Sequence, residues 1–211
     1  MGIEYEVKLR ASAQAQRAIR EAYAGAWQTF SMQTTYYDTP SGSLSARRYT
    51  LRRRTENDRS VCTLKAPAAG YGRGEWELEK DCITDAIEGL CKLGVPRDLP
   101  VLVAEGLIPV CGAKFQRLAK TVVLENATLE LALDDGVLYG GGRELPLCEV
   151  EVELKSGDID ACVAFAKMLS DRFGLQPEEH SKFRRALALY RGEEYGAVRE
   201  AISKIRPAGA V

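Results

Sequence analysis

The opening stretch Ile3-Glu4-Tyr5-Glu6-Val7-Lys8-Leu9-Arg10 alternates apolar and charged residues without a break. Successive side chains of a strand point to opposite faces, so Glu4, Glu6, Lys8 and Arg10 share one face and Ile3, Tyr5, Val7 and Leu9 the other. The same alternation returns in Cys148-Glu149-Val150-Glu151-Val152-Glu153-Leu154-Lys155, and charge also falls on one parity around 50–54, 61–65, 73–79 and 128–134. A solvated strand face usually mixes signs and neutral polar residues, whereas most of these strands carry largely one sign. The pattern predicts strands at roughly 3–10, 32–38, 48–54, 60–66, 73–80, 114–125, 128–134, 136–140 and 145–155, separated by turn signals such as Asp38-Thr39-Pro40-Ser41-Gly42 and Asp135-Gly136. Helical periodicity predicts helices over 12–26, over 84–93, from Ile159 to Phe173 with Gly174 closing it, and over 181–205 in two segments broken near Gly192.

So many strands with one polar parity must bury an apolar face and protect their edges. A closed barrel with its charged face inward and helices over its apolar face does both, giving an α+β fold with a charged tunnel. Buried charges are tolerable only when paired, wet or bound to ions, so such an interior points to binding. Two carboxylates followed by two cations on the first strand suit a hard metal ion held beside a polyanion.

Composition narrows the partners. The chain has 211 residues, 45% hydrophobic and 28% charged, the ordinary make-up of a globular protein. A net charge of −1 supplies no global field for nucleic acid or an anionic membrane, so neither is expected as a partner and a polyanion must be bound locally. Six scattered cysteines without a CxxC pair, a strand beginning near the N-terminus and the lack of a long apolar run lead to the expectation of a cytoplasmic protein with reduced thiols. His180 is the one histidine and cannot build a metal site or triad alone. Gly70-Tyr71-Gly72-Arg73-Gly74 lacks the spacing of a phosphate loop and reads as a hairpin.

Several segments in order carry a resemblance: Glu4-x-Glu6-x-Lys8, Tyr36-Tyr37-Asp38-Thr39-Pro40, Leu51-Arg52-Arg53-Arg54, Thr63-Leu64-Lys65, Glu75-Trp76-Glu77, Ala132-Leu133-Asp134-Asp135-Gly136, the acidic run from Glu149 to Asp158, and Ser181-Lys182-Phe183-x-Arg185. From residue 3 to about 191 the chain resembles a CYTH domain of the triphosphate tunnel metalloenzymes, most like the bacterial inorganic triphosphatases. That resemblance implies a closed antiparallel eight-stranded barrel, expected over 1–192, and the remaining residues 193–211 are expected to form a C-terminal helical extension. It also implies one or two Mg²⁺ or Mn²⁺ ions and a substrate that is inorganic triphosphate or another triphosphate-containing small molecule. A class IV adenylyl cyclase, a thiamine or nucleoside triphosphatase, and a non-catalytic polyphosphate or nucleotide module are the alternatives. The CYTH domain of such triphosphatases often precedes a helical CHAD domain, which the sequence ending at Val211 is not expected to contain. Lys120 departs from the relatives, which often carry an aromatic there.

Phosphoanhydride hydrolysis requires neutralised phosphoryl charge and an oriented water. Glu4, Glu6, Lys8, Arg52, Arg54 and Lys65 are accordingly the candidate catalytic set. Lys8, Arg52, Arg54, Lys65, Arg117, Lys182 and Arg185 are the candidate phosphate ligands, with Lys182 and Arg185 on a helix that the resemblance places at one tunnel mouth. Glu4, Glu6, Glu149, Glu151 and Glu153 are the candidate metal ligands. Glu75, Glu77, Glu130 and Asp134 are inward acids that support the basic residues. Arg53, of opposite parity to Arg52 and Arg54, is expected to point out.

Overall fold

The computed structural model describes residues 2–3, 5–67 and 73–193; Glu4, much of the 70–74 hairpin and most of the expected 193–211 extension lie outside the described residues. Ten strands run in the chain order β1 (Gly2–Ile3), β2 (Glu6–Arg10), β3 (Gln28–Asp38), β4 (Thr50–Glu56), β5 (Arg59–Pro67), β6 (Arg73–Glu79), β7 (Ile108–Val123), β8 (Ala127–Gly140), β9 (Arg143–Gly157) and β10 (Gln176–Pro177). The helices are α1 (Ala13–Ala22), α2 (Ser43–Ala46), α3 (Ile83–Lys92), α4 (Leu99–Leu102), α5 (Ile159–Phe173) and α6 (Lys182–Arg191).

All described strands join one antiparallel sheet in the spatial order β1-β6-β5-β4-β3-β7-β8-β9-β2-β10. The expected closed eight-stranded barrel is corrected here: the sheet is open, with two-residue strands at both edges. Strand 3–10 is not continuous but divides, Gly2–Ile3 pairing with β6 and Glu6–Arg10 with β9. The chain therefore steps from one edge of the sheet towards the other, and among the described residues no ladder joins the edges. Side chains from β2, β4, β5, β6, β7 and β9 nevertheless line one cavity, so the open sheet is strongly curled.

Its convex face is covered as the alternation requires. Val7, Leu9, Leu129, Leu131, Val150 and Val152 pack against Ile19 of α1 and Cys162, Phe165 and Leu169 of α5. Leu51, Leu64 and Trp76 pack against Ile83, Ala86 and Leu90 of α3. Asp158 caps α5 by accepting from the Asp160 N–H, and Gly174 closes it at φ 66°.

The concave face is divided along its length. On β7 the inward parity changes from Ala113 and Phe115 to Arg117; on β9 it changes from Leu145 and Leu147 to Glu149, Glu151 and Glu153. The apolar half is covered by Ala186, Leu187 and Leu189 of α6, which lies on the inside of the curl. This explains two expectations that fell short. Residues 108–113 extend β7 beyond the expected start because the sheet continues under α6. Asp135-Gly136 does not turn: β8 runs through it, paired on both sides, and the glycine admits a close approach of β7, where an added Cβ would meet the Lys114 carbonyl and Phe115 Cα. Gly140 likewise admits the α6 backbone, where an added Cβ would lie 2.6 Å from the Ala186 carbonyl oxygen.

Lys120 has a role on the opposite side. Its Nζ donates to the carbonyls of Tyr23 and Ala24 just beyond α1 and lies 5.9 Å from the Trp27 ring centroid, so a cation secures the end of a helix there.

Candidate active site

Between the charged half of the sheet and the start of α6 lies a cavity of about 300 Å³, lined by Glu6 and Lys8 of β2, Arg52 and Arg54 of β4, Lys65, Arg117, Glu151, Glu153 and Lys182 among others. The first charged strand and the last long strand come together: Glu6 is the register partner of Glu153, and Lys8 of Glu151. Arg53 points away and donates from Nη1 to the Asp81 carbonyl at 2.9 Å. Arg73, to which no role was assigned in the sequence, also lines the cavity and donates from Nη2 to the Arg48 and Lys65 carbonyls at 2.7 and 3.1 Å. Its signal was available, since Arg73 shares the parity of Glu75 and Glu77.

The basic side chains of the wall are crowded. Burial, followed by the charges of Arg52 and Arg117, pushes the Arg54 pKa down. Its acidic partner Glu56 stays 3.7 Å away, and Thr34 Oγ1 accepts from Nε at 3.2 Å. Arg52 Nη2 lies 3.6 Å from both Glu75 and Glu77, and Lys65 Nζ lies 3.2 Å from Glu75. Burial also works against the Lys8 ammonium, but Glu6 at 2.9 Å and Glu151 outweigh it and raise its pKa.

A second chamber of about 260 Å³ lies behind Arg52, Arg54, Arg117 and Glu153, which it shares with the first. Glu75, Glu77 and Glu130 open here, not on the cation-rich side. Thr63 Oγ1 donates to Glu77 at 2.9 Å, and Lys155 Nζ lies 3.7 Å from Glu130 and 2.9 Å from Glu153.

Asp134, Glu149 and Arg185 do not line the cavity; they form its underlayer. Asp134 is 0% and Glu149 0% exposed. Arg117 donates from Nε and Nη2 to the two Asp134 carboxylate oxygens at 2.7 and 2.8 Å, and from Nη2 to Glu151. Lys182 Nζ stands 2.9 Å from Asp134, 2.8 Å from Glu149 and in direct contact with Glu151. Arg185 donates to Glu149 and approaches Glu178 at 3.6 Å. Ser181 sets the first turn of α6 by accepting from the Arg184 N–H, which places Lys182 over this cluster.

The CYTH domain profile matches residues 2–187. The chain belongs to the CYTH domain family. It is 29% identical over 170 residues to the inorganic triphosphatase of Haemophilus influenzae, covering 77% of this chain and 47% of that protein. It therefore spans about half the length of that curated relative. Among solved structures, HpAC1 of Hippeastrum, described as a candidate adenylyl cyclase with a dominant triphosphatase activity, superposes with a TM-score of 0.63 at 21% identity, covering 92% of this chain and 99% of that one. The PH1012 protein of Pyrococcus horikoshii superposes with a TM-score of 0.53 at 19% identity, covering 86% and 98%. At these identities the superpositions establish the fold. The six cysteines are free thiols, of which Cys62, Cys111 and Cys162 are buried. Among the described residues no helix is long and apolar enough to cross a membrane.

Proposed function

We propose that this CYTH domain hydrolyses a triphosphate-containing small molecule, with inorganic triphosphate as the preferred substrate and pyrophosphate and phosphate as products. The observation that carries the reading is the crowding of Arg52, Arg54 and Arg117 around one cavity, with Lys8 and Lys65 beside them. Burying several cations together is costly unless an anion joins them, and a polyphosphate relieves that cost while taking paired hydrogen bonds from each guanidinium.

Glu6 and Glu153 fit a hard divalent ion. Their oxygens are the donors such ions prefer, they are register partners on adjacent strands, and their side chains keep 27% and 26% exposure beside the cations. Glu4 shares the parity of Glu6 in the sequence. Bound there, Mg²⁺ or Mn²⁺ supplies Lewis-acid neutralisation beside the phosphates. The guanidinium groups of Arg52 and Arg54 bind the chain of phosphates and stabilise the charge that grows on the transferred phosphoryl oxygens. Lys8, held by Glu6, and Lys65, held by Glu75, add fixed positive charge on either side.

A panel of inorganic triphosphate, ATP, thiamine triphosphate and long polyphosphate with Mg²⁺ or Mn²⁺ tests the reading. Triphosphate should be consumed fastest, EDTA should stop turnover, and Glu6→Gln should abolish it while leaving the melting temperature nearly unchanged. Undiminished activity in chelator removes the metal from the account, and no phosphate release from any of the four substrates refutes hydrolysis.

A further inference from the structure

The carboxylates of Asp134, Glu149 and Glu151 each place an oxygen within 4.8 Å of the others, a geometry able to hold a metal ion. The position is not vacant, because the Lys182 ammonium contacts all three. We propose that the resident cation of this triad is Lys182, and that Asp134 and Glu149 are positioning residues that fix Lys182 and Arg117 against the cavity.

Three observations support this. The Lys182 ammonium donates a hydrogen bond to Glu151 and stands 2.9 and 2.8 Å from carboxylate oxygens of Asp134 and Glu149, so one cation sits against all three acids. The charges also oppose a divalent ion: each acid of the triad already faces Lys182 and either Arg117 or Arg185, while Glu178, a further acid on Arg185, is shared with Arg10. Access differs too, since the side chains of Asp134 and Glu149 are 0% and 1% exposed, and Mg²⁺ gives up its waters reluctantly. The positive end of α6 is thus tied to β8 and β9 from beneath. Arg117 reaches the cavity with Nε and Nη2 already committed to acids. The fixed guanidinium saves a phosphate ligand the cost of ordering it.

The ammonium seat stands on geometry alone, while its effect on phosphate binding rests on the proposed function. Nitrogen–proton correlation spectra of the full chain test the seat. The Lys182 ammonium should give a slowly exchanging signal that persists in saturating Mg²⁺; its absence in the metal-free protein, or its loss on adding Mg²⁺, overturns the seat. Because Lys182→Met alone strands buried carboxylates and can unfold the chain, the signal is assigned with the paired variant Asp134→Asn/Lys182→Met. Bound Mn²⁺, counted by electron paramagnetic resonance, should be the same in Asp134→Asn as in the wild type; one ion fewer makes the triad a metal site. Calorimetry with tripolyphosphate should show at least a tenfold weaker affinity in Asp134→Asn, and an unchanged affinity overturns the positioning role. A wild type that binds tripolyphosphate but does not hydrolyse it refutes the hydrolysis reading and leaves this one intact. A wild type that binds none refutes the functional reading, and the ammonium signal still decides the seat.

Discussion

Two groups of charged residues meet at Arg117, and they are built differently. Beneath α6, the acids Asp134, Glu149 and Glu151 are packed against the cations Lys182, Arg185 and Arg117, and the ion pairs of Lys182 and Arg117 there are 2.9 Å or shorter. Along β4 and β5 the ion pairs of Arg52, Arg54 and Lys65 run from 3.2 to 3.7 Å and open on the cavity. The residue types are the same. The buried group fastens a helix to a sheet, whereas the wall turns its cations towards the cavity and leaves Glu56, Glu75 and Glu77 in the chamber behind.

If that contrast is right, the two groups respond to mutation in different measurements. The largest effect is on stability. Lys182→Met leaves three buried carboxylates short of a partner, and denaturant titration should show a loss of about 3–5 kcal/mol. A loss below 1 kcal/mol would mean that the cluster does not secure α6.

Next comes the wall. Arg52→Ala or Arg54→Ala removes charge-assisted hydrogen bonds worth about 1.5–3 kcal/mol, so kcat/KM for triphosphate should fall by about 10- to 150-fold. Lys at either position restores part of this, since a point charge cannot reproduce the paired donors. For Arg54→Ala stability should hold or rise, because burial and the neighbouring cations already oppose the charge on Arg54. A variant that unfolded as readily as Lys182→Met would erase the distinction between the groups.

The response to pH sharpens the comparison further. Burial alone would raise the Glu151 pKa, but Lys182 and Arg117 outweigh it and hold the carboxyl well below the usual range. A depressed carboxylate contributes stability that is fully present above its unfolded value of about 4.3 and is lost as pH falls through its folded value. Lys182 is opposite in sense. Burial opposes its charge, the three carboxylates more than compensate, and its pKa is raised. Its contribution is complete below about pH 10.4 and is lost as pH rises through the folded value. Melting temperature against pH should therefore show a flat contribution from the cluster between these limits and a decline below pH 4.3. Glu151→Gln should be less stable at neutrality, with a shallower acid decline. An unchanged acid slope would show that the carboxyl is not held by its partners.

The smallest expected effect is the control. Arg53→Ala removes one exposed hydrogen bond to the Asp81 carbonyl, so stability should shift by no more than about 0.5 kcal/mol and kcat/KM by less than twofold. Damage equal to that of Arg54→Ala would place Arg53 on the wrong face.

Alternation by itself determined most of the residues that face inward, while Tyr5, of outward parity, also borders the cavity beside the break between β1 and β2. Glu6, Lys8, Arg52, Arg54, Lys65, Arg117, Glu151 and Glu153 were assigned to one interior and line one cavity, because side-chain direction in a strand is a local property with a period of two residues. Arg73 was within reach of the same rule. Tertiary structure alone decided how those inward charges are used. Nothing local to Glu149 or Arg185 reveals that they lie beneath the cavity, nor that Glu75 and Glu130 open on its far side. Those assignments depend on where α6 enters the curl and where the inward parity of β7 and β9 changes from apolar to charged. The open edges were equally hidden, since the break that sends Gly2–Ile3 to β6 and Glu6–Arg10 to β9 interrupts an unbroken alternation. Parity specifies the face of a strand; the partner of a charge is set by contacts between segments far apart in the chain, here residues 117, 134, 149–151 and 182–185.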